Sequence, residues 1–363
     1  MQLLGPTTVS TSPRLPPLMR RTRIVCISDT HNSRVKLPKG DVLIHAGDLT
    51  NQGSYSEITR AVAWLEEAPF ECKIVVAGNH DITLDRAFYA QHNRRFHNQS
   101  PQPTDECLAL LTASPSITYL SHGSASVFLK AAGGPHTQFT VFGSPYSPRD
   151  GTSSWAFQYD RMGTSMSGSS LSFPAGPGTV PYADDSAAAV GVWSAIPATA
   201  DIVVTHTPPF GHCDWSTARD RAMGCEGLRR ALWQTRPRLV VCGHVHEGRG
   251  VERVRWSSEG EQGSADGAGG EVAVDSWQDP GRDGGKLSIV DLTTRGTRHS
   301  LDDGTAGQAS EGRWTQAGDG KGRRESCIVN CAITATNYPH VGGKRLNKPV
   351  VVDLDLPVWE EPG

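Results

Sequence analysis

The chain has 363 residues, a formal net charge of −3 and a hydrophobic fraction of 37%. That is enough apolar material for a sizeable core, although 39 glycines and several serine-rich stretches place part of the chain outside any core. Charges of both signs are interspersed and no long basic run appears, which speaks against an extended nucleic-acid or membrane surface; no run of about 18 apolar residues marks a membrane-spanning helix.

Residues 1–20 read as a flexible leader rich in Pro, Ser and Thr, without the basic and apolar regions of a secretory signal. Five β-branched or aliphatic runs follow, and each ends in a short polar motif. Residues 23–27 lead into Ser28-Asp29-Thr30-His31, residues 41–45 into Gly47-Asp48, and residues 73–77 into Gly78-Asn79-His80-Asp81. Residues 201–204 lead into Thr205-His206, and residues 238–242 into Gly243-His244-Val245-His246. Unbroken runs of this kind predict strands buried on both faces.

Helical periodicity lies between them. Residues 55–67 carry Ile58, Val62 and Leu65 on one face; residues 104–111 start at Thr104 as N-cap; residues 226–234 carry Leu228, Leu232 and Trp233. Residues 117–120, 125–130 and 138–143 predict antiparallel strands joined by turns. Two stretches break the pattern, 162–183 and 257–325, and read as low-complexity surface insertions. Within the second, only residues 286–292 resemble a strand. Strand-like composition returns at 326–335 and 349–356. Strands alternating with helices predict an α/β layered architecture, with a single catalytic domain over residues 21–358.

The eight cysteines are scattered, and several lie within strand-like runs. Cys327 and Cys331 find no second Cys/His pair to complete a zinc ligand set. Free thiols in a reducing, cytoplasmic compartment are the expectation.

The five polar motifs carry the chemistry. Asp, His and Asn are metal ligands, and all the groups fall where a buried strand would end. Two divalent cations about 3.5–4 Å apart can clamp the attacking and leaving oxygens of a phosphoryl displacement. Carboxylates and imidazoles suit Zn, Mn or Fe, and a ligand set without Cys speaks against a closed structural zinc site. Taken singly, the motifs are weak. Gly47-Asp48 is an ordinary turn, and Gly78-Asn79-His80-Asp81 can equally be a strand-to-helix turn capped by Asp81. Their order and their placement after strand-like runs carry the inference.

The motif set resembles the calcineurin-like metallophosphoesterases, whose pattern is D-x-H, G-D, G-N-H-[DE], H and G-H-x-H in that order. The resemblance spans about residues 22–256 and, more weakly, 326–358. Within that superfamily the phrases Gly40-Asp41-Val42-Leu43-Ile44-His45-Ala46-Gly47-Asp48-Leu49-Thr50 and Thr205-His206-Thr207-Pro208-Pro209 resemble the metallophosphoesterase-domain-containing, class III-like phosphodiesterase group, in a fungal-type member. The resemblance implies a four-layer α/β/β/α sandwich of two mixed sheets, with a dimetal site at the C-terminal ends of strands. It implies that Asp29, His31 and His246 bind the first of two divalent metal ions (Mn, Fe or Zn), that Asp48 bridges, and that Asn79, His206 and His244 bind the second. It implies His80 as general acid, with Asp81 orienting its ring, and hydrolysis of a phosphodiester or cyclic nucleotide by a hydroxide bridging the metals.

The expected partner is thus a small phosphoester or nucleotide. Asn32 and Asp214 are candidate substrate contacts, although Asn32 can equally cap the next turn. Trp155 and Phe157 are candidates for base stacking or for simple packing, and His45 reads as a core histidine. Three alternatives stay open. A protein phosphatase of the same superfamily would carry G-D-x-x-D-R-G, whereas Leu49-Thr50-Asn51-Gln52-Gly53 follows Asp48 here. A repair-type nuclease would want a DNA-binding face. A nucleotide-binding scaffold would have weak or no catalysis.

Overall fold

The structure is a computed structural model that describes residues 17–151, 154–160, 191–257, 270–282, 284–294, 301–302, 322–336, 339–340 and 342–359. Two large mixed sheets lie face to face. The first runs in the order β15 (Ser288–Asp291), β17 (Val350–Pro357), β1 (Met19–Ile27), β2 (Val42–Ala46), β3 (Cys72–Val76), β4 (Ile117–Tyr119). Its neighbours are parallel except for β1 and β17. The second runs β14 (Glu271–Ser276), β13 (Gly250–Trp256), β16 (Glu325–Asn330), β12 (Leu239–Cys242), β9 (Ile202–Thr205), β6 (Gln138–Ser144), β5 (Gly123–Phe128). Its four middle strands, β16, β12, β9 and β6, are parallel to one another. Two short pairs stand apart, β7 (Ser147–Pro148) with β8 (Gln158–Tyr159) and β10 (Trp215–Ser216) with β11 (Arg221–Ala222).

Side-chain alternation on the β-branched runs builds the layers. Ile24 and Cys26 of β1 join Ile44, Ile74, Val204, Val241 and Val329 in the core between the sheets. Val25 and Ile27 face the other way, with Leu43 and Val75, onto the helices α1 (Tyr55–Glu67), α2 (Arg86–His97) and α3 (Thr104–Thr112). Beyond the second sheet, Val203, Val240 and Ile328 pack on α4 (Glu226–Thr235) through Leu228 and Leu232, with Trp193 alongside. The result is the expected four-layer sandwich. A fully buried side chain such as Ile44 contributes on the order of 2 kcal/mol.

Local chemistry fixes the elements around the site. At the start of α1, Ser54 and Glu57 form a capping box in which Ser54 N donates to Glu57 Oε2 at 2.9 Å and Glu57 N to Ser54 Oγ at 3.4 Å. Glu57 Oε1 also accepts from Asn51 N at 3.2 Å, which ties the helix start to the loop after β2.

Four expectations need correction. β1 already begins at Met19, inside the expected leader, because residues 19–23 pair with β17. α3 is capped by Pro103, not Thr104, with no side-chain cap hydrogen bond. β4 is a parallel partner of β3, and only β5 and β6 form the antiparallel hairpin. The 257–325 stretch supplies β14 as well as β15, because residues 271–276 pair with β13 despite weak strand composition. The 162–183 insertion lies outside the described residues, as do 258–269 and 303–321. All eight cysteines are free thiols. Among the described residues no helix is long and apolar enough to cross a membrane.

Candidate metal centre

Each of the five motifs sits at or just beyond the C-terminal end of a strand. Asp29 and His31 follow β1, Asp48 follows β2, and Asn79 follows β3 in the first sheet; His206 follows β9, and His244 and His246 follow β12 in the second. The two sheets therefore deliver ligands from opposite sides. Asp48 stands between them, with its Oδ2 3.7 Å from His31 Nε2 and 3.4 Å from His206 Nε2. Asp29 Oδ1 lies 3.3 Å from His246 Nε2, and the His31 and His246 Nε2 atoms lie 3.4 Å apart. His206 Nε2 is 3.0 Å from Asn79 Oδ1, and the His206 and His244 ring centroids are 4.9 Å apart. Asp29, His31 and His246 form one group of donor atoms within 4.8 Å of one another, and Asp29, Asp48 and His206 a second. Five of the seven expected ligands fall in these two groups, with Asp29, not the expected Asp48, in both; Asn79 and His244 lie beside His206.

The ligand rings are held from behind. His31 Nδ1 bonds the Thr50 carbonyl at 3.1 Å, and His206 Nδ1 bonds the Ala46 carbonyl at 2.9 Å. Donating Nδ1–H to a carbonyl leaves the Nε2 lone pair facing the centre, the tautomer a metal ligand requires. The backbone is strained where it matters: Asp29, His31, Asn32, Asp48 and His244 all have φ between 44° and 67°. That left-handed region costs a non-glycine residue about 1–2 kcal/mol, and such outliers gather at functional sites. Glycine supplies the room. A Cβ on Gly78 would stand 2.2 Å from Asp48 Oδ1, and one on Gly243 would stand 2.1 Å from Asp29 Oδ2.

The charges fit divalent cations. Burial pushes His31 down to about 4 and His244 down to about 3. Burial also opposes charge on His206, yet the Asp48 carboxylate outweighs it and raises His206 to about 9. Burial would raise Asp29 and Asp48, but their histidine neighbours hold both below the usual carboxylate range. Two buried carboxylates and imidazole nitrogens with inward lone pairs form a donor set for hard-to-borderline cations.

His80 is placed apart from the ligands. Its backbone N donates to Asp48 Oδ1 at 2.8 Å, and its ring Nδ1 bonds the Asn51 carbonyl at 2.8 Å. Its ring meets that of His31 edge-on, with centroids 4.9 Å apart. The expected pairing of Asp81 with the His80 ring is not found. Asp81 turns inward and accepts from Gly78 N at 2.9 Å, Leu49 N at 3.2 Å, and Thr50 N and Oγ1 at 3.0 and 2.7 Å. Burial and the neighbouring Asp48 raise its carboxyl to about 6. It stands at the N-cap of the following 3-10 turn, Ile82–Leu84, without a side-chain bond to it; its carboxylate instead staples the loop after β2 to the loop after β3.

Both candidate substrate contacts make hydrogen bonds within the protein. Asn32 Nδ2 donates to Glu57 Oε1 at 2.6 Å and braces the start of α1. Asp214 is 3% exposed, and its Oδ2 accepts from Gly211 N at 2.9 Å and Gly224 N at 2.8 Å, closing the base of the β10–β11 hairpin. His45 is buried, as expected of a core histidine, with Nε2 2.9 Å from Thr30 Oγ1.

Other contributors have no motif. Asn330 donates to the Cys213 and Val245 carbonyls, both at 2.9 Å, and so fixes the turn that carries His244 and His246. Thr334 Oγ1 donates to the Asp29 carbonyl at 2.7 Å, and Lys344 Nζ to the His31 carbonyl at 2.9 Å. These residues lie outside the five motifs, and nothing in the sequence around them points to the site.

Residues 22–248 match the family described as calcineurin-like phosphoesterase. The chain is 37% identical over 236 residues to a probable rhamnogalacturonate lyase C of Emericella nidulans, a likeness covering 64% of this chain and 18% of that protein. It is 35% identical over 240 residues to metallophosphoesterase domain-containing protein 1 of Homo sapiens, covering 63% of this chain and 62% of that one. It is 30% identical over 231 residues to a UPF0046 protein of Caenorhabditis elegans, covering 63% and 65%. The chain therefore spans less than two thirds of the length of each of these relatives.

Proposed function

The chain belongs to the calcineurin-like phosphoesterase family, and on that premise we propose that it is a metal-dependent phosphodiesterase acting on a small phosphodiester or a cyclic nucleotide. The observation that carries this reading is Asp48, set between His31 Nε2 at 3.7 Å and His206 Nε2 at 3.4 Å with ligands arriving from both sheets. Asp29, His31 and His246 would hold one cation, Asn79, His206 and His244 the other, with Asp48 shared. Two such cations supply Lewis acidity to the phosphoryl group and make water acidic enough to act as a nucleophile near neutral pH.

The chain's own residues do the rest. The Thr50 and Ala46 carbonyls keep His31 and His206 in the ligating tautomer. Asp81 locks the two loops that carry Asp48 and Asn79. His80 is anchored by Asn51 through Nδ1, so its Nε2 is the atom left to give a proton to the departing oxygen. Acid assistance of that kind is typically worth about 10²–10⁴ in rate. A diester is favoured over a protein phosphomonoester because the turn after Asp48 lacks the D-R-G of the superfamily's protein phosphatases.

The test is direct. Protein loaded with Mn²⁺ should cleave bis(p-nitrophenyl) phosphate faster than p-nitrophenyl phosphate, and Asp48→Ala should lose bound metal and activity together. A wild-type protein that holds two metals yet hydrolyses neither linear diesters nor 2′,3′- and 3′,5′-cyclic nucleotides would overturn the reading.

A further inference from the structure

His80 has one ring anchor, the Asn51 carbonyl. A single hydrogen bond at one ring atom fixes where the imidazole is tethered but leaves it free to swing about that bond. A second contact removes the freedom. The indole of Trp155 lies against the imidazole, with centroids 4.2 Å apart and planes inclined at 34°. Trp155 is itself clamped. Phe96 of α2 backs it at 5.3 Å, and the Arg95 guanidinium carbon sits 5.9 Å from its ring centroid while Nη1 donates to the Ser154 carbonyl at 3.1 Å. Trp155 N donates to Gln158 Oε1 at 2.9 Å. Two residues on, Phe157 N donates to Asp85 Oδ2 at 2.8 Å, and the other oxygen of the same carboxylate caps α2 at Phe88 N, at 3.0 Å. On the other side, Asp150 pairs with Arg219 at 3.1 Å and with Arg221, tying the segment to the β10–β11 hairpin.

Simple packing accounts for Phe157, which is buried in the helix-side core. Trp155 packs at the margin of the same core but is only partly buried, and it presents its ring to His80 of the GNHD turn. We propose that Trp155 is a positioning residue: it holds the His80 ring at the angle from which its proton reaches the departing oxygen, and so sets how poor a leaving group the enzyme can expel. This rests on the reading of His80 as general acid. A donor must come within about 2.6–3.2 Å of the atom it protonates, and a misplacement of about 1 Å can cost on the order of 100-fold. That penalty falls on leaving groups that need the proton and spares those that depart as stable anions.

The experiment uses the full chain loaded with Mn²⁺ and a series of aryl and alkyl phosphodiesters graded by leaving-group pKa. Trp155→Leu should keep its metal content and KM, lose on the order of 10- to 100-fold in kcat for the poorest leaving groups, and lose less than about threefold for p-nitrophenolate. Trp155→Phe should recover most of the loss. Phe96→Leu, which loosens Trp155 without touching His80, should show a smaller loss with the same grading, and it carries the test should Trp155→Leu fail to fold. His80→Ala should show the steepest grading. A graded His80→Ala beside ungraded Trp155 and Phe96 variants overturns the positioning role alone. An ungraded His80→Ala overturns the acid assignment and this proposal with it.

Discussion

Glycine at 78 and 243 leaves the centre no spare volume. A methyl at 78 would meet Asp48 Oδ1 at 2.2 Å and the Asp48 backbone N at 2.3 Å, neither of which can move without displacing the shared ligand. Gly78→Ala is expected to cost about 1–3 kcal/mol of stability and to abolish retention of a second cation. Denaturant titration and metal analysis check both, with Gly191→Ala as control, since nothing lies within 4 Å of its added Cβ. At this scale much of the candidate centre was legible in the residue types: five of the seven expected ligands fall in the two donor groups, and Asn79 and His244 lie beside His206. The role of Asp81 was not. A carboxylate next to a histidine in sequence suggests a dyad, but its burial commits it to three backbone N–H groups that would otherwise go unpaired. Asp214 is likewise claimed by its own turn, through Gly211 N and Gly224 N, while Asn32 braces the start of α1.

Between elements, a buried ionic cluster holds the loop after β9 against the edge of the second sheet. His212 bonds Glu252 of β13 at 2.8 Å and Glu271 of β14 at 3.2 Å, and Arg229 of α4 bonds Glu271 through two contacts of 2.8 Å. Burial opposes charge on His212, yet the two glutamates raise it to about 9 from 6.5. Burial likewise opposes charge on Glu271, yet Arg229 and His212 lower it to about 2 from 4.5. A raised histidine stabilises the fold fully below 6.5, and its contribution disappears as pH rises through about 9. A lowered glutamate contributes above 4.5, and its contribution disappears as pH falls through about 2. The stability gap between wild type and His212→Asn, read by thermal melts, should thus be widest near pH 5–6 and shrink above about pH 8. Nothing in the local sequence announced this cluster, because its members are brought together from α4, β13, β14 and a loop by long-range pairing. Strands with continuous β-branched runs were legible for the opposite reason: burial on both faces writes itself into each run. β14 was not, since an edge strand with one exposed face keeps Val272 and Val274 half in solvent and needs its partner β13 to exist at all.

For the whole molecule, ligands from two separate sheets mean that bound cations cross-link the sandwich. Loading at about 100 times Kd should stabilise the fold by about 2.7 kcal/mol, chelation should reverse the gain, and Asp48→Ala should melt at the same temperature with or without Mn²⁺. The layered class could be read from alternating strands and helices, but the division of strands between sheets could not. The switch of β4 and β5 into different sheets turns on His122 adopting φ 57° in the intervening corner, a backbone choice that composition does not encode.

The arrangement also makes the molecule a calliper. One jaw carries Asp48 and the other carries His206, and the hinge is the aliphatic filling between the sheets, Ile44, Ile74, Val204 and Val241 among it. The gap between the jaws is therefore set by methyl groups that never meet a substrate. Shaving one of them, as in Ile44→Val, would alter the spacing between Asp48 and His206, so a conservative change deep in oil-like packing would reach the proposed centre through geometry alone.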